Sequence, residues 1–156
     1  NHCVFRLGTA YGWSPRMRFD LVVNTFTAKK FNKEKISVFG GKQFRPFIHI
    51  RDVARAIIFA AEKNLFGVYN LSNENLMLND LAKFIAGEDT EVELNELLAD
   101  PRDYKVSNAK ILGKGFNFEW DLKKGVDDML QHPEDLKRYY DPKYSNYKMQ
   151  ILSRLK

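Results

Sequence analysis

The sequence predicts an α/β fold, in which short strands and amphipathic helices alternate along the chain. Short apolar runs bounded by glycine indicate buried strands, and apolar residues repeated at i, i+3, i+4 and i+7 indicate helices with one buried face. The order is strand, helix, strand, strand, helix, strand, helix, strand, helix, helix, which favours parallel strand pairs joined by helices. The 156 residues, 44% hydrophobic and 29% charged, suffice for one domain with its own core.

The first half of the pattern begins with the apolar run Cys3–Leu7, predicted to be a buried strand that ends in a glycine-rich loop over 8–15. A helix with a buried face follows and runs to Lys30. Strands are expected at Ile36–Phe39 and at Pro46–Ile50, because a proline loses no ladder donor at the start of a strand. The predicted buried face of that first helix comprises Phe19, Val22, Val23 and Phe26.

The second half starts with Asp52, which is expected to cap a helix because its carboxylate can accept first-turn N–H groups. A strand is expected at Gly67–Leu71, then a helix over Leu78, Leu81, Ala82 and Ile85 that ends at Gly87. An extended piece is expected at Val92 and Leu94, a short helix capped by Ser107 through Leu112, and a last helix capped by Asp121 that ends before Pro133.

Composition excludes several classes of protein. One cysteine, Cys3, cannot form an intramolecular disulfide and fits a reducing, cytoplasmic compartment. The longest apolar run, Ala56–Ala61, is too short to span a bilayer. The three histidines, His2, His49 and His132, are too scattered to form a metal motif, so no metal site is expected. His49 alternates with apolar neighbours and is expected to be a core or edge histidine. No nucleophile elbow or Walker loop occurs.

Two arginines are candidate ligand contacts. Arg45 precedes a predicted strand, and Arg102 lies in the loop Asp100-Pro101-Arg102-Asp103-Tyr104, so both guanidinium groups can reach a bound molecule. Paired guanidinium forks suit a diphosphate. The alternative for each is a surface ion pair, for example with Asp103.

A net charge of +5 can attract nucleic acid, an anionic small molecule or an acidic surface. A non-catalytic basic binding module, for nucleic acid or a protein partner, is therefore the alternative function. Its candidate surface is the basic and aromatic tail from Lys137 to Lys148. Because net charge alone produces such binding, nucleic acid is the less favoured partner.

The chain resembles the C-terminal half of the NAD-dependent nucleotide-sugar epimerase/dehydratase family, the extended short-chain dehydrogenases. The resemblance rests on segments in the family's order, which cover nearly the whole chain. These segments are Arg6-Leu7-Gly8-Thr9-Ala10-Tyr11-Gly12, residues 16–24, Val38 to Ala54, Tyr69-Asn70-Leu71-Ser72, residues 100–107 with Lys110-Ile111, and residues 141–146.

The resemblance implies that residues 1–130 contain the last strands of a Rossmann-like sheet and a small α/β substrate-binding lobe, followed by a tail over 131–156. It places Arg45 and Arg102 where the family holds the diphosphate and adjoining ribose of a nucleotide-diphosphate sugar. Thr9, Tyr11 and Asn24 match positions that line the pocket. Epimerisation (isomerase), dehydration (lyase) and decarboxylation remain open.

The family binds NAD or NADP through a glycine-rich loop and reacts through a Tyr-x-x-x-Lys pair, both in segments that precede the match. The resemblance therefore implies a fragment with no catalytic residue of its own, which binds no cofactor and is inactive alone. The pairs Tyr139/Lys143 and Tyr144/Lys148 are not expected to be catalytic, since Pro142 interrupts the first. The partner is the missing cofactor half or a separate chain, and without it apolar surface favours self-association.

Overall fold

The computed structural model describes residues 2–95, 101–146 and 150. The strands are β1 (Cys3–Leu7), β2 (Thr9–Tyr11), β3 (Ile36–Phe39), β4 (Phe44–His49), β5 (Gly67–Leu71), β6 (Glu74–Met77) and β7 (Val92–Asn95). The helices are α1 (Val22–Phe31), α2 (Ile50–Glu62), α3 (Leu78–Ala86), α4 (Ala109–Leu112), α5 (Leu122–Leu130) and α6 (Pro133–Leu136). Two 3-10 turns follow, Lys137–Tyr140 and Pro142–Tyr144.

The strands form three small sheets. Parallel pairs join β1 to β5, β2 to β4 and β3 to β7, and β6 pairs with β4 in the antiparallel sense. The chain passes from the first sheet to the second at Gly8, whose N–H donates to the Leu71 carbonyl at 2.8 Å. A Cβ at Gly8 would lie 2.9 Å from the carbonyl oxygen of Pro46. Only glycine therefore allows β2 to approach β4 here.

Two apolar cores lie on opposite faces of β4, because successive side chains of a strand point to opposite sides. Phe47 contributes to the larger core, which also contains residues of α1, α3 and α5. Ile48 contributes to the smaller core with α2, β5 and α4. Both side chains are fully buried. This alternation explains why β4 carries polar residues such as Arg45 and His49 into the interior on the same side as Phe47.

The structure confirms most of the predicted elements and corrects some ends. The strands at Cys3–Leu7, Ile36–Phe39 and Gly67–Leu71 have the predicted bounds. Asp121 caps α5 by accepting from the Lys124 N–H at 2.8 Å, as predicted. Helix α1 begins at Val22 rather than near Phe19.

The predicted cap at Asp52 is wrong. Helix α2 already begins at Ile50, and the His49 Nδ1 atom accepts from the Arg51 N–H at 3.3 Å. Ser107 does not cap α4 directly, since Asn108 precedes the helix, although the Ser107 hydroxyl accepts from the Ala109 N–H.

Residues 131–146 pack on the larger core. The Leu136 side chain is fully buried, and the Trp13 indole N–H donates to the Asp135 carboxylate at 2.7 Å. The Trp13 ring stacks on His132 with centroids 4.1 Å apart. The predicted boundary between 1–130 and 131–156 stays a prediction, and residues 147–149 and 151–156 lie outside the described residues. Across the described ranges, no helix is long and apolar enough to cross a membrane.

Candidate functional site

Arg45 and Arg102 lie next to each other, as a shared ligand site requires. Arg45, in β4, is only 6% exposed, and its Nη1 atom donates to the Phe44 carbonyl at 2.9 Å and to the backbone carbonyl of Arg102. The Arg102 residue is exposed. The contact between the two arginines therefore joins the Arg45 guanidinium to the Arg102 backbone carbonyl. It does not involve the Arg102 guanidinium.

The segment 102–108, called the strap here, lies against the start of β4. The Phe44 N–H donates to the Asp103 carboxylate at 2.8 Å, and the Tyr104 N–H donates to the Phe44 carbonyl at 3.3 Å. Phe44 therefore binds the strap through both of its backbone groups, once to the Asp103 side chain and once to the Tyr104 backbone.

Asparagine side chains hold the rest of the strap. The Asn75 carboxamide accepts from the Val106 N–H at 2.8 Å and donates to the Val106 carbonyl at 3.1 Å. The Asn70 amide donates to the Ser107 carbonyl at 3.1 Å. A carboxamide that pairs with both groups of one residue substitutes for a β-bridge. The position of Arg102 at the end of the strap is thus set by side chains of β5 and β6.

Two reciprocal cation–π contacts join β4 to the strap. The Lys105 Nζ lies 3.7 Å from the Phe44 ring centroid, and the Arg45 Cζ lies 5.7 Å from the Tyr104 centroid. Each element therefore supplies one cation and one aromatic ring to the other. The Arg45 and Lys105 side chains and the Asp103 carboxylate therefore meet at the start of β4, next to the backbone of Arg102.

A cavity of about 440 Å³ lies between α1, β3 and the start of α3. Its walls include the apolar side chains of Phe26, Val38 and Leu78. Polar residues of α1 and of β3, such as Thr25 and Ser37, also line it. Gln43, which is 7% exposed, lines it and donates through Nε2 to the Phe39 carbonyl at 2.7 Å. The full lining is Asp20, Val22, Thr25, Phe26, Lys29, Ser37, Val38, Phe39, Gln43, Leu78 and Tyr139.

The cavity and the cations are neighbours along the chain. Gln43 lies in the cavity wall, Phe44 carries the contacts to the strap, and Arg45 carries the buried guanidinium. An apolar cavity of several hundred Å³ with a few polar groups is the usual form of a small-molecule site. The arrangement can bind an anionic molecule that has a flat, largely apolar end.

Of the other three predicted site residues, Thr9 and Tyr11 lie in β2, where the sequence predicts a loop, and Asn24 lies in α1 and contacts the loop that follows β2. Asn24 is buried, accepts from the Gly12 N–H at 3.1 Å and donates to the Arg18 carbonyl at 3.0 Å. It therefore ties the loop to α1. Thr9 is half-buried in β2 opposite Phe47.

Tyr11 belongs to a buried aromatic cluster. Its ring meets His49 edge-on, with centroids 5.3 Å apart, and His49 stacks on Trp120 at 4.3 Å. Among the described residues, the Tyr11 hydroxyl and the His49 Nε2 have no hydrogen-bond partner. Burial raises the pKa of Tyr11, with the charge of Glu74 adding to the effect, and burial lowers the pKa of His49 to about 4. His49 is thus a neutral core histidine, as predicted.

Sequence reasoning missed Asn75, Gln43 and Tyr139. The segment that contains Asn75 is polar and lacks strand-like alternation, so β6 was not predicted. Gln43 lies in the segment Val38 to Ala54, which resembles the family, but it belongs to no periodic pattern. Tyr139 lies in the predicted tail, and no pattern in the sequence indicates that this tail reaches a cavity.

The residues of the first Tyr-x-x-x-Lys pair lie on two different turns. Tyr139 and Lys143 occupy successive 3-10 turns, and the Lys143 Nζ pairs with the Asp141 carboxylate at 3.1 Å. Burial, and then the charge of Glu34, raise the pKa of Tyr139, whereas a tyrosine base needs a lowered pKa. Lys148 of the second pair lies outside the described residues.

Residues 1–72 match the model of the NAD dependent epimerase/dehydratase family. UDP-glucuronic acid decarboxylase 1 from Arabidopsis thaliana is 30% identical over 117 residues, which are 69% of this chain and 26% of that protein. UDP-glucose 4-epimerase from Thermotoga maritima, solved with UDP-glucose, is similar with a TM-score of 0.72 and 23% identity over 85% of this chain and 46% of that chain.

A third similar protein is dTDP-glucose 4,6-dehydratase from Bacillus anthracis, solved in complex with NAD. It has a TM-score of 0.70 and 18% identity over 90% of this chain and 47% of that chain. The fold is the mixed α/β fold with parallel strand pairs that the sequence predicted, and it is similar to about half of each solved chain. The chain spans about a quarter of the curated relative and about half of the solved structures.

Proposed function

We propose that this chain forms the nucleotide-sugar-binding part of an NAD- or NADP-dependent epimerase or dehydratase. One observation carries the proposal: the Arg45 guanidinium contacts the Arg102 backbone, and Arg45 follows two residues after Gln43, which lines the cavity. A nucleotide-diphosphate sugar has the matching chemistry, because its diphosphate is doubly charged and its base is flat.

In this proposal the diphosphate binds at the start of β4. Arg102 and Lys105 are exposed and can approach a phosphate oxygen, and Arg45 adds positive charge from a buried position. Charged hydrogen bonds to phosphate are stronger than neutral ones. The base then occupies the cavity lined by Gln43 and Val38, and the sugar extends toward β2, which contains Thr9 and Tyr11.

The catalytic pair and the cofactor come, in the same proposal, from other residues of the enzyme. Support comes from the first Tyr-x-x-x-Lys pair, in which Lys143 pairs with Asp141 and the pKa of Tyr139 is raised. We expect the 156-residue chain to be inactive and to bind no NAD or NADP by itself. Whether the whole enzyme epimerises, dehydrates or decarboxylates depends on those other residues.

The surface beside β1 fits a protein partner. Within the described residues, β5 is the only strand that pairs with β1. The outer face of this pair exposes Val4 (42%) and Val68 (40%), with Phe66 (61%) at the end. An open strand edge beside apolar side chains favours association with another chain or segment. We propose that the cofactor-binding part covers this face, and that the isolated chain self-associates through it.

The alternative, a basic nucleic-acid-binding module, has less support. Lys137 pairs with Glu134, and Arg138 pairs with Asp135, each at 2.7 Å. These tail cations are thus engaged with carboxylates of their own segment. Titration with a single-stranded oligonucleotide at moderate salt tests this alternative.

Calorimetric titration of the chain with UDP, UDP-glucose and NAD tests the proposed function. We expect UDP and UDP-glucose to bind, and Arg102→Ala to weaken both by about tenfold through loss of a charged hydrogen bond. Lys114→Ala removes an exposed charge elsewhere and should have no effect. Absence of UDP binding by the folded chain, or tight stoichiometric NAD binding, would contradict the proposal.

A further inference from the structure

We infer that Tyr139 is a base-contacting residue of the nucleotide site, so that the C-terminal segment contributes to substrate specificity. This inference rests on the proposed function. It assigns a binding role to a segment outside the motifs that resemble the family. The observation behind it is that Tyr139 lines the same cavity as Val38 and Gln43.

The Tyr139 ring is held in place by an anchored segment. Leu136, three residues earlier, is fully buried in the larger core, and Asp135 accepts from the Trp13 indole at 2.7 Å. The ring itself meets Phe19 edge-on, with centroids 5.7 Å apart and planes at 89°. The Tyr139 ring also meets the Tyr140 ring, with centroids 5.2 Å apart. The ring is therefore held by Phe19 and Tyr140 within an anchored segment.

The remaining walls explain why an aromatic ring at this position matters. The polar groups around the cavity are largely engaged: Gln43 donates to Phe39, the Thr25 hydroxyl donates within its own helix region, and the Lys29 Nζ donates to the Lys35 carbonyl. Recognition of a flat base then depends mainly on apolar and aromatic contact. Stacking on an aromatic side chain suits any base, because every base has a π-face.

Tyr140 provides a matched control within the same turn. It is 57% exposed, it does not line the cavity, and its hydroxyl contacts Glu34 on the surface. Its ring also contacts the Tyr139 ring, with centroids 5.2 Å apart, so the control substitution has to keep that ring. Tyr140→Phe does so and removes only the hydroxyl. A loss of UDP affinity in Tyr139→Ala that Tyr140→Phe does not share therefore reports on the cavity wall.

The test compares UDP with inorganic pyrophosphate, which has the two phosphates but no base. Both are titrated into the 156-residue wild-type chain, Tyr139→Ala, Tyr139→Phe and Tyr140→Phe, with melting temperatures as a folding check. We expect Tyr139→Ala to weaken UDP binding by about tenfold and to leave pyrophosphate binding unchanged. Tyr139→Phe and Tyr140→Phe should bind UDP as the wild type does.

The outcomes separate this inference from the proposed function. If the wild type binds UDP but Tyr139→Ala binds it equally well, or loses UDP and pyrophosphate equally, Tyr139 has no role toward the base and the inference is overturned alone. If Tyr139→Ala is unfolded, the UDP affinities of Tyr139→Phe and Tyr139→Leu test the inference instead. The inference requires that Tyr139→Phe retains the wild-type UDP affinity and that Tyr139→Leu loses it. A folded wild type that binds neither ligand overturns the proposed function and this inference with it.

Discussion

The buried guanidinium of Arg45 donates a hydrogen bond to the backbone carbonyl of Arg102, 57 residues further along the chain. The two arginines are thus unequal. The Arg45 side chain binds the strap and also adds positive charge. Arg102 contributes only its backbone carbonyl to this contact and is itself an exposed residue. Substitutions at the two positions should therefore have different consequences.

We predict that Arg45→Lys lowers the free energy of unfolding by about 1–3 kcal/mol, because a lysine cannot reproduce the guanidinium contacts with the Phe44 and Arg102 carbonyls. Arg102→Lys keeps the backbone carbonyl and should change stability by less than about 0.5 kcal/mol. Urea denaturation of both variants measures the difference. Equal stability loss in the two would show that the buried contact contributes nothing specific.

Asn75→Asp tests the support of the strap. The carboxylate retains an acceptor for the Val106 N–H but places a second acceptor against the Val106 carbonyl, so we expect a loss of about 1–3 kcal/mol and weaker UDP binding. The variant is compared with Asn117→Asp, an exposed residue, by urea denaturation and calorimetry. A variant as stable as the wild type would mean that the strap is held without Asn75.

The buried His49 should make stability depend on pH. The folded pKa of about 4 lies below the ordinary value of 6.5, since burial disfavours the charged ring and the Arg51 charge adds to this against the opposing charges of Asp128 and Asp52. The unfolded chain therefore binds the extra proton first as pH falls. Stability is fully present above pH 6.5 and falls by roughly 3 kcal/mol in total as the pH drops to about 4.

Urea denaturation between pH 4 and 8 measures this dependence. His49→Gln should lose most of the slope between pH 6.5 and 4, although it is less stable at pH 7. His132→Gln, which replaces a half-buried histidine, serves as the control and should retain the slope. If His49→Gln keeps the wild-type slope, another group causes it.

Asp52→Asn should destabilise the fold by about 2–4 kcal/mol. The fully buried carboxylate accepts from the Glu119 and Trp120 N–H groups at 3.0 to 3.2 Å and from the Arg55 guanidinium at 2.6 Å. An amide replaces one acceptor with a donor that faces other donors and removes the charge opposite Arg55. Thermal and urea denaturation are compared with Glu62→Gln, an exposed position on the same helix, where no loss is expected.

Local patterns predicted the elements whose signals lie within a few neighbouring residues. The strand Ile36–Phe39 is a short, mostly apolar segment that ends at glycine, and Asp121 caps its helix through the N–H of Lys124, three residues away. Asp52 had the same local features as a cap. Its actual partners, residues 119 and 120, lie 67 and 68 positions away, so no local pattern could reveal them.

The sequence by itself predicted the α/β order, the parallel strand pairs and the resemblance to the epimerase/dehydratase family. It also singled out Arg45 and Arg102. Hydrophobic period, glycine position and residue type carry this information because they act over a few neighbouring positions. Only the tertiary structure showed that Arg45 is buried against the strap and that Tyr139 lines the cavity. It also showed the strand β6, whose Asn75 side chain binds the strap. These features depend on hydrogen bonds and packing between distant segments, whose geometry arises only when the chain is folded.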